Sequence, residues 1–276
     1  MRKLEGIGIG VRTPWAAELL TTSRRVDWLE VVPENWAFYG GKKRKLLHAL
    51  AEKFTVVPHG VSLNVGGLDA LDSRFLEALA KLVKETRAPV FSDHVCYAST
   101  HGRPLHELLP LPFTNEAVEL VGRRGREAAE RVGAPLVLEN ATFYAHMPGG
   151  EFDESGFLRA CLQAADARML LDVNNVYVNS KNHGFDARAF IDTLPLERVS
   201  YVHLAGHTKQ DDVIIDTHIG PIIDDVWSLY RYVIQKAGRA LPTLIEWDQD
   251  IPALDVVLDE CDRARNEAQK ALGLVT

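Results

Sequence analysis

Seven times along this chain an apolar run ends in a histidine, a carboxylate or an amide. The run at 26–32 carries Glu30 and is followed by Glu34 and Asn35. The next ends in His59, the next in Asp93 and His94, the next in Glu139 and Asn140. Then come Asp172, Asn174 and Asn175; then His203, His207, Asp216 and His218; last, Glu246 and Asp248. Neutral imidazole with carboxylate is the donor set of zinc, iron and manganese. Carboxylates gathered in one place repel, and burial adds a desolvation cost to each. Lys and Arg are nearly missing from these positions, so metal ions are the expected counter-charge. In "DTH" (216–218), alternate side chains of an extended segment share a face, which lets Asp216 and His218 grip one ion.

Each residue alone has a plainer reading. A single histidine at a strand end is more often a hydrogen-bonded structural group. Glu30 could be a salt-bridge partner, and Asp172 could cap a following helix. These readings do not explain the repetition at one topological position. His48 reads as helix surface, and His101, His106, His146 and His183 as exposed loop residues. The three cysteines, Cys96, Cys161 and Cys261, read as structural; only Cys96, next but one to His94, is placed to line the mouth.

The elements that must position these groups alternate. Strand-like runs fall at 6–11, 26–32, 54–60, 88–94, 134–140, 168–173, 199–206 and 242–248. Between them "KKRKLLHALAEK", "SRFLEALAKLVKETR" and "NEAVELVGRRGREAAERVG" show helical apolar spacing, the last stopping at Gly133. Further helices fit 154–165, 186–193, 223–237 and 252–271. Eight strand–helix alternations predict an α/β fold, a (β/α)8 TIM barrel forming one domain over 1–276. A doubly wound open sheet is the alternative. In the barrel, the C-terminal ends of all strands meet on one face, where active sites sit. Three long connections, 95–112, 141–153 and 204–222, lack a clear helix, and long barrel loops are commonly functional.

Composition narrows the classes. A net charge of −7 and a pI of about 5.8 argue against a long nucleic-acid footprint. The cysteines are odd in number, widely spaced and without a CxxC pair, which predicts reduced thiols and a cytoplasmic protein. The start, "MRKLEGIGIG", lacks a signal-peptide core. No apolar run approaches the roughly 18 residues of a membrane span.

Seven segments in order carry a resemblance: "GIGIGVR", "DWLEVVPENW", "VPHGVSLNVGG", "SDHVCY…HELLPLPFTNEA", "LVLENATFY", "LLDVNNVYVNS" and "VHLAGH…IDTHIGPI". Together, over almost the whole chain, they resemble the multinuclear non-haem iron-dependent oxidases, the group that includes the methanobactin-biosynthesis oxidase. The resemblance implies a xylose-isomerase-like barrel with two or three iron ions of mixed Fe2+/Fe3+ state and O2 as co-substrate. Position by position, it implies one ion held by His59, His94 and Glu139. A second would share Glu139 and add Asp172, His203 and Glu246. A third would take Asn175, Asp216 and His218. It implies no further catalytic residue; Asp93 and His207 are candidates for orienting the ligands. The implied substrate is a ribosomally made precursor peptide, modified at Cys or at a C-terminal Asp, with a partner protein that captures the peptide leader.

Three other classes stay open. Zinc phosphodiesterases of the endonuclease IV type share the barrel superfamily but carry a histidine three residues after the aspartate of the sixth strand, where this chain has Asn175. A divalent-metal sugar isomerase or epimerase would work with fewer ligands. A non-catalytic metal-binding scaffold would need no open coordination position.

Overall fold

All eight apolar runs form strands of one parallel sheet in the computed structural model, which describes residues 3–274. The expectation of one domain over 1–276 thus has residues 1, 2, 275 and 276 outside the described ones. In chain order the strands are β1 (Ile7–Gly10), β2 (Trp28–Val31), β3 (Thr55–Pro58), β4 (Phe91–His94), β7 (Leu136–Glu139), β8 (Arg168–Asp172), β9 (Val199–Ala205) and β12 (Thr243–Glu246). Hydrogen bonding runs β3-β2-β1-β12-β9-β8-β7-β4. A parallel bridge between His59 and Ser92, with Gly60 N–H donating to Ser92 O at 2.8 Å, joins the two end strands and closes the barrel.

Helices cover the outside: α1 (Gly41–Lys53), α2 (Ser73–Thr86), α3 (Asn115–Val132), α4 (Glu154–Ala165), α5 (Val173–His183), α6 (Ala187–Asp192), α7 (Asp224–Ala237) and α8 (Leu254–Ala271). Five start on a side chain that accepts from a first-turn amide, namely Asp72, Thr114, Asp153, Asp172 and Asp186. No described helix is long and apolar enough to cross a membrane.

Strand periodicity explains where the polar groups lie. Side chains two apart on a strand share a face. Trp28, Val57, Val137, Leu170, Tyr201 and Leu244 pack together as an apolar plug inside the barrel. Two residues further along each strand stand Glu30, His59, Glu139, Asp172, His203 and Glu246, all buried. One apolar layer therefore floors one polar layer.

Three local expectations need correction. Residues 173–183, outside every expected helix, form α5, which Asp172 caps through Oδ1 on the Asn175 amide at 2.7 Å. The connection 95–112 contains a hairpin, β5 (Tyr97–Thr100) with β6 (Arg103–Leu109), and 204–222 another, β10 (Thr208–Gln210) with β11 (Val213–Ile215). His183 is half-buried rather than exposed: it closes α5, stacks on Phe143 and contacts Phe143 O at 2.8 Å. His48, His101, His106 and His146 are exposed, and Cys96, Cys161 and Cys261 are free and buried.

Candidate metal centre

At the C-terminal strand ends, β3, β4 and β7 aim three donors at one point. Glu139 Oε2 lies 3.1 Å from His59 Nε2 and 3.2 Å from His94 Nε2. On the other side of the same carboxylate, Oε1 lies 3.9 Å from His203 Nδ1, and Asp172 Oδ2 is also 3.9 Å from that nitrogen. Glu139 thus stands between two groups. Glu246 Oε2 reaches His203 Nδ1 at 3.0 Å and His218 Nδ1 at 3.4 Å. Among the described residues, His59–His94–Glu139, Glu139–Asp172–His203 and Asp172–His218–Glu246 each bring ligand atoms within 4.8 Å of one another.

Asp216 and His218 do meet, with Oδ1 2.8 Å from Nε2. The cause differs from the expected one. Residues 216–218 lie outside any strand, and His218 is left-handed at φ 50°. Asp216 is held by Thr142 Oγ1 at 3.2 Å, Asn174 Nδ2 at 2.8 Å and, through its own amide, Tyr144 Oη at 3.0 Å. Asn175 sits deeper. Its Nδ2 donates to Asn140 O at 2.9 Å and Glu139 Oε1 at 3.3 Å. Asp172 and Glu246 also lie close to His218 on the inner side, and Asn175 Oδ1 is buried without a hydrogen bond.

Of the two groups expected to orient ligands, His207 Nδ1 contacts Asn174 Oδ1 at 2.7 Å and so supports Asp216 through Asn174. Asp93 accepts from the amides of His94 at 2.8 Å and Leu63 at 3.0 Å; its Oδ1 lies 3.8 Å from the His94 ring. It fastens backbone, while the His94 ring has Gly60 O 3.2 Å from Nδ1.

Two further residues take part. Glu30 Oε2 lies 3.0 Å from His203 Nε2 and accepts from Tyr201 Oη at 3.1 Å. Arg12, just past β1, contradicts the expectation that cations are missing: it pairs with Asp248 and reaches Glu246 at 3.6 Å. Glu30 stands in the recurring pattern; Arg12 carries no local signal.

The electrostatics are those of a crowded cavity. Burial alone would lower the histidines, but Glu139 and Asp93 raise His94 to about 9, and Glu30 and Glu246 hold His203 well above its ordinary value. Burial works to raise Glu139, yet His94 and His59 bring it down to about 2. Asp172 goes the other way, pushed well up by burial and by Glu139.

The donor set fits a metal cluster. Glu139 Oε2, Asp172 Oδ2, Asn175 Oδ1, His203 Nδ1, His218 Nε2 and Glu246 Oε2 are buried without a hydrogen bond. Buried polar atoms are otherwise nearly always satisfied. Among them His203 Nδ1 lies 3.0 Å from Glu246 Oε2 and 3.9 Å from Asp172 Oδ2, which is near the spacing of neighbouring ligands on metal–ligand bonds of about 2.1 Å.

Fold and site together define a xylose-isomerase-like TIM barrel with a buried histidine–carboxylate cavity at its C-terminal face. The family model described as RiPP precursor modification enzyme MbnB/TglH/ChrH matches residues 6–269, and the chain belongs to that enzyme family. A UPF0276 protein of Shewanella loihica is 40% identical over 268 residues, 96% of this chain and 95% of that protein. One of Acinetobacter baylyi is 42% identical over 255 residues, 92% and 88% of the two chains. Among solved structures, D-psicose 3-epimerase of Clostridium cellulolyticum superposes with a TM-score of 0.63 at 12% identity, covering 97% of this chain and 99% of that one. Endonuclease IV of Thermus thermophilus gives 0.58 at 16% identity, covering 98% and 100%. These two likenesses concern the fold alone.

Proposed function

We propose that the protein is a multinuclear iron-dependent oxidase that uses O2 to modify Cys, or a C-terminal Asp, of a ribosomally made precursor peptide. The observation that carries this reading is the set of unsatisfied donor atoms: of ten such buried side-chain atoms among the described residues, six belong to the nine residues that the resemblance assigns as ligands. His59, His94 and Glu139 hold one ion, and Glu139, Asp172, His203 and Glu246 a second. Asp216 and His218 hold a third with Asn175, whose amide oxygen is a weaker ligand than imidazole. That outer position is the loosest of the three.

Iron bound here supplies the one-electron and O2 chemistry. The chain's residues bind it, keep its ligands in one protonation state and exclude water from its inner side. His203 and Asp172 are wholly buried, whereas the Asp216 and His218 side chains are 12% and 13% exposed and face the mouth, where a peptide arrives. The β5–β6 and β10–β11 hairpins supply the rim for that peptide. A leader-binding partner protein completes the system in the cytoplasm.

The test pairs the iron-loaded protein with the precursor peptide encoded beside it. The expected outcome is an O2-dependent change in peptide mass, abolished in His203→Ala and Glu246→Ala, which also lose metal while the barrel stays folded by circular dichroism. Turnover with full metal in either variant would overturn the ligand assignment.

A further inference from the structure

Glu30 lies beneath the cavity, on β2, only 3% exposed. Its Oε2 lies 3.0 Å from His203 Nε2 and 3.1 Å from Tyr201 Oη. An ionised carboxylate only accepts, so the hydrogens belong to the partners. His203 therefore carries hydrogen on Nε2, and its Nδ1 is the atom turned to Glu246, Glu139 and Asp172. Tyr201 has given its hydrogen to Glu30 and so takes the Ser92 Oγ hydrogen at 2.5 Å, a closer acceptor than Pro58 O at 3.3 Å. Ser92 Oγ, its own hydrogen committed, accepts from His59 Nδ1 at 2.9 Å. His59 then presents Nε2 to Glu139 at 3.1 Å. All five side chains are buried.

Every hydrogen in this chain points one way, and the chain ends on Glu30. Without an acceptor there, Tyr201 is free to turn its hydrogen to Ser92, and Ser92 to give its own to Pro58 O or to His59 Nδ1. The second of these would move the His59 hydrogen onto Nε2, against Glu139. His203 would lose the contact that holds its hydrogen on Nε2.

We propose that Glu30 is a positioning residue that sets the tautomer of His203 directly and, through Tyr201 and Ser92, favours that of His59, so that Nδ1 of the first and Nε2 of the second face the Glu139 cavity. This rests on the reading of His59 and His203 as ligands. Hydrogen bonds of this kind fix ring orientation at metal centres, and their loss commonly weakens binding about 10–100-fold.

The test uses zinc, which is diamagnetic, on the whole chain labelled with 15N-histidine. Long-range 15N–1H spectra separate rings bound through Nδ1 from those bound through Nε2. The wild type is expected to show a ring bound through Nδ1 with a protonated Nε2, assigned by its loss in His203→Asn. Glu30→Leu, which removes the acceptor, is expected to lose that signature and to bind zinc about 10–100-fold more weakly. Glu30→Gln, which keeps an accepting oxygen in place, is expected to restore the signature with affinity within a few-fold of wild type. An unchanged Glu30→Leu spectrum and affinity would overturn the proposal. So would a Gln variant as impaired as the Leu variant, since Glu30 would then act by charge or as a ligand itself. Wild-type protein that takes up no zinc, iron or manganese would instead remove the ligand reading, and this proposal with it, before any variant is made.

Discussion

Asp172 gives one carboxylate oxygen to the Asn175 amide at the start of α5 and leaves the other bare inside the barrel. The plain reading of this residue, a helix cap, and the metal reading are both satisfied, by different atoms. That is why neither could be dismissed from the sequence. His59, His94, Glu139, His203 and Glu246 stand out in the sequence because each is a polar group at or near the end of an apolar run. Arg12 does not, because its partners lie about 235 residues away and only the parallel pairing of the first strand with the last brings β12 beside β1. The Asp216–His218 contact was anticipated, but the left-handed turn that makes it was not. The charges have a measurable consequence. His94, raised to about 9 mainly by Glu139 against the pull of burial, must shed a proton before a cation can bind. Cation affinity is therefore expected to rise between pH 7 and 9, by about tenfold per pH unit for each proton released. Calorimetry in buffers of different ionisation enthalpy would read both. A pH-independent affinity across that range would contradict the assignment.

The main alternation of strands and helices could be read from the sequence, while α5 could not. Its sequence, VNNVYVNSKNH, is rich in Asn and β-branched residues with poor helix propensity. Tertiary burial, the Asp172 cap and Gly184 at φ 74° hold it as a helix. No alternating burial pattern marks the two hairpins, because β5, β10 and β11 have only three or four residues and β6, though longer, buries none of its side chains. Gly206, just past β9, shows how closely the elements meet: a Cβ there would lie 2.3 Å from Ile219 O and 2.4 Å from Gly220 O. Gly206→Ala is expected to push the His218 segment outward, cost about 1–3 kcal/mol and empty the outer metal position first. Full metal content with an unchanged melting temperature would refute this.

The start of α4 gives a second consequence at this scale. Burial raises Glu154 to about 7, Asn179 Nδ2 at 3.0 Å lowers it and Asp153 raises it further. The unfolded value is about 4.3. An acid whose folded value is raised binds more protons when folded, so stability falls as pH rises from about 4.3 to about 7 and then levels. Glu154→Gln is expected to flatten melting temperature across that window and to be more stable than wild type at pH 8. A mutant profile parallel to the wild type would exclude Glu154 as the cause.

At the scale of the molecule, the barrel is shared with an epimerase and an endonuclease, so the fold leaves the chemistry undecided. What points to the chemistry is the buried polar layer above the plug together with membership of a peptide-modifying enzyme family. A cation bound only by the folded state at 100 times its dissociation constant adds about 2.7 kcal/mol, or on the order of 5 °C in melting temperature for a chain of this size. The direct test of the central claim is metal content. Protein purified without oxygen should contain two or more irons per chain, melt lower after chelation, and develop a charge-transfer band when a thiol or the cognate peptide is added. Stoichiometric zinc with no uptake of iron would contradict the account.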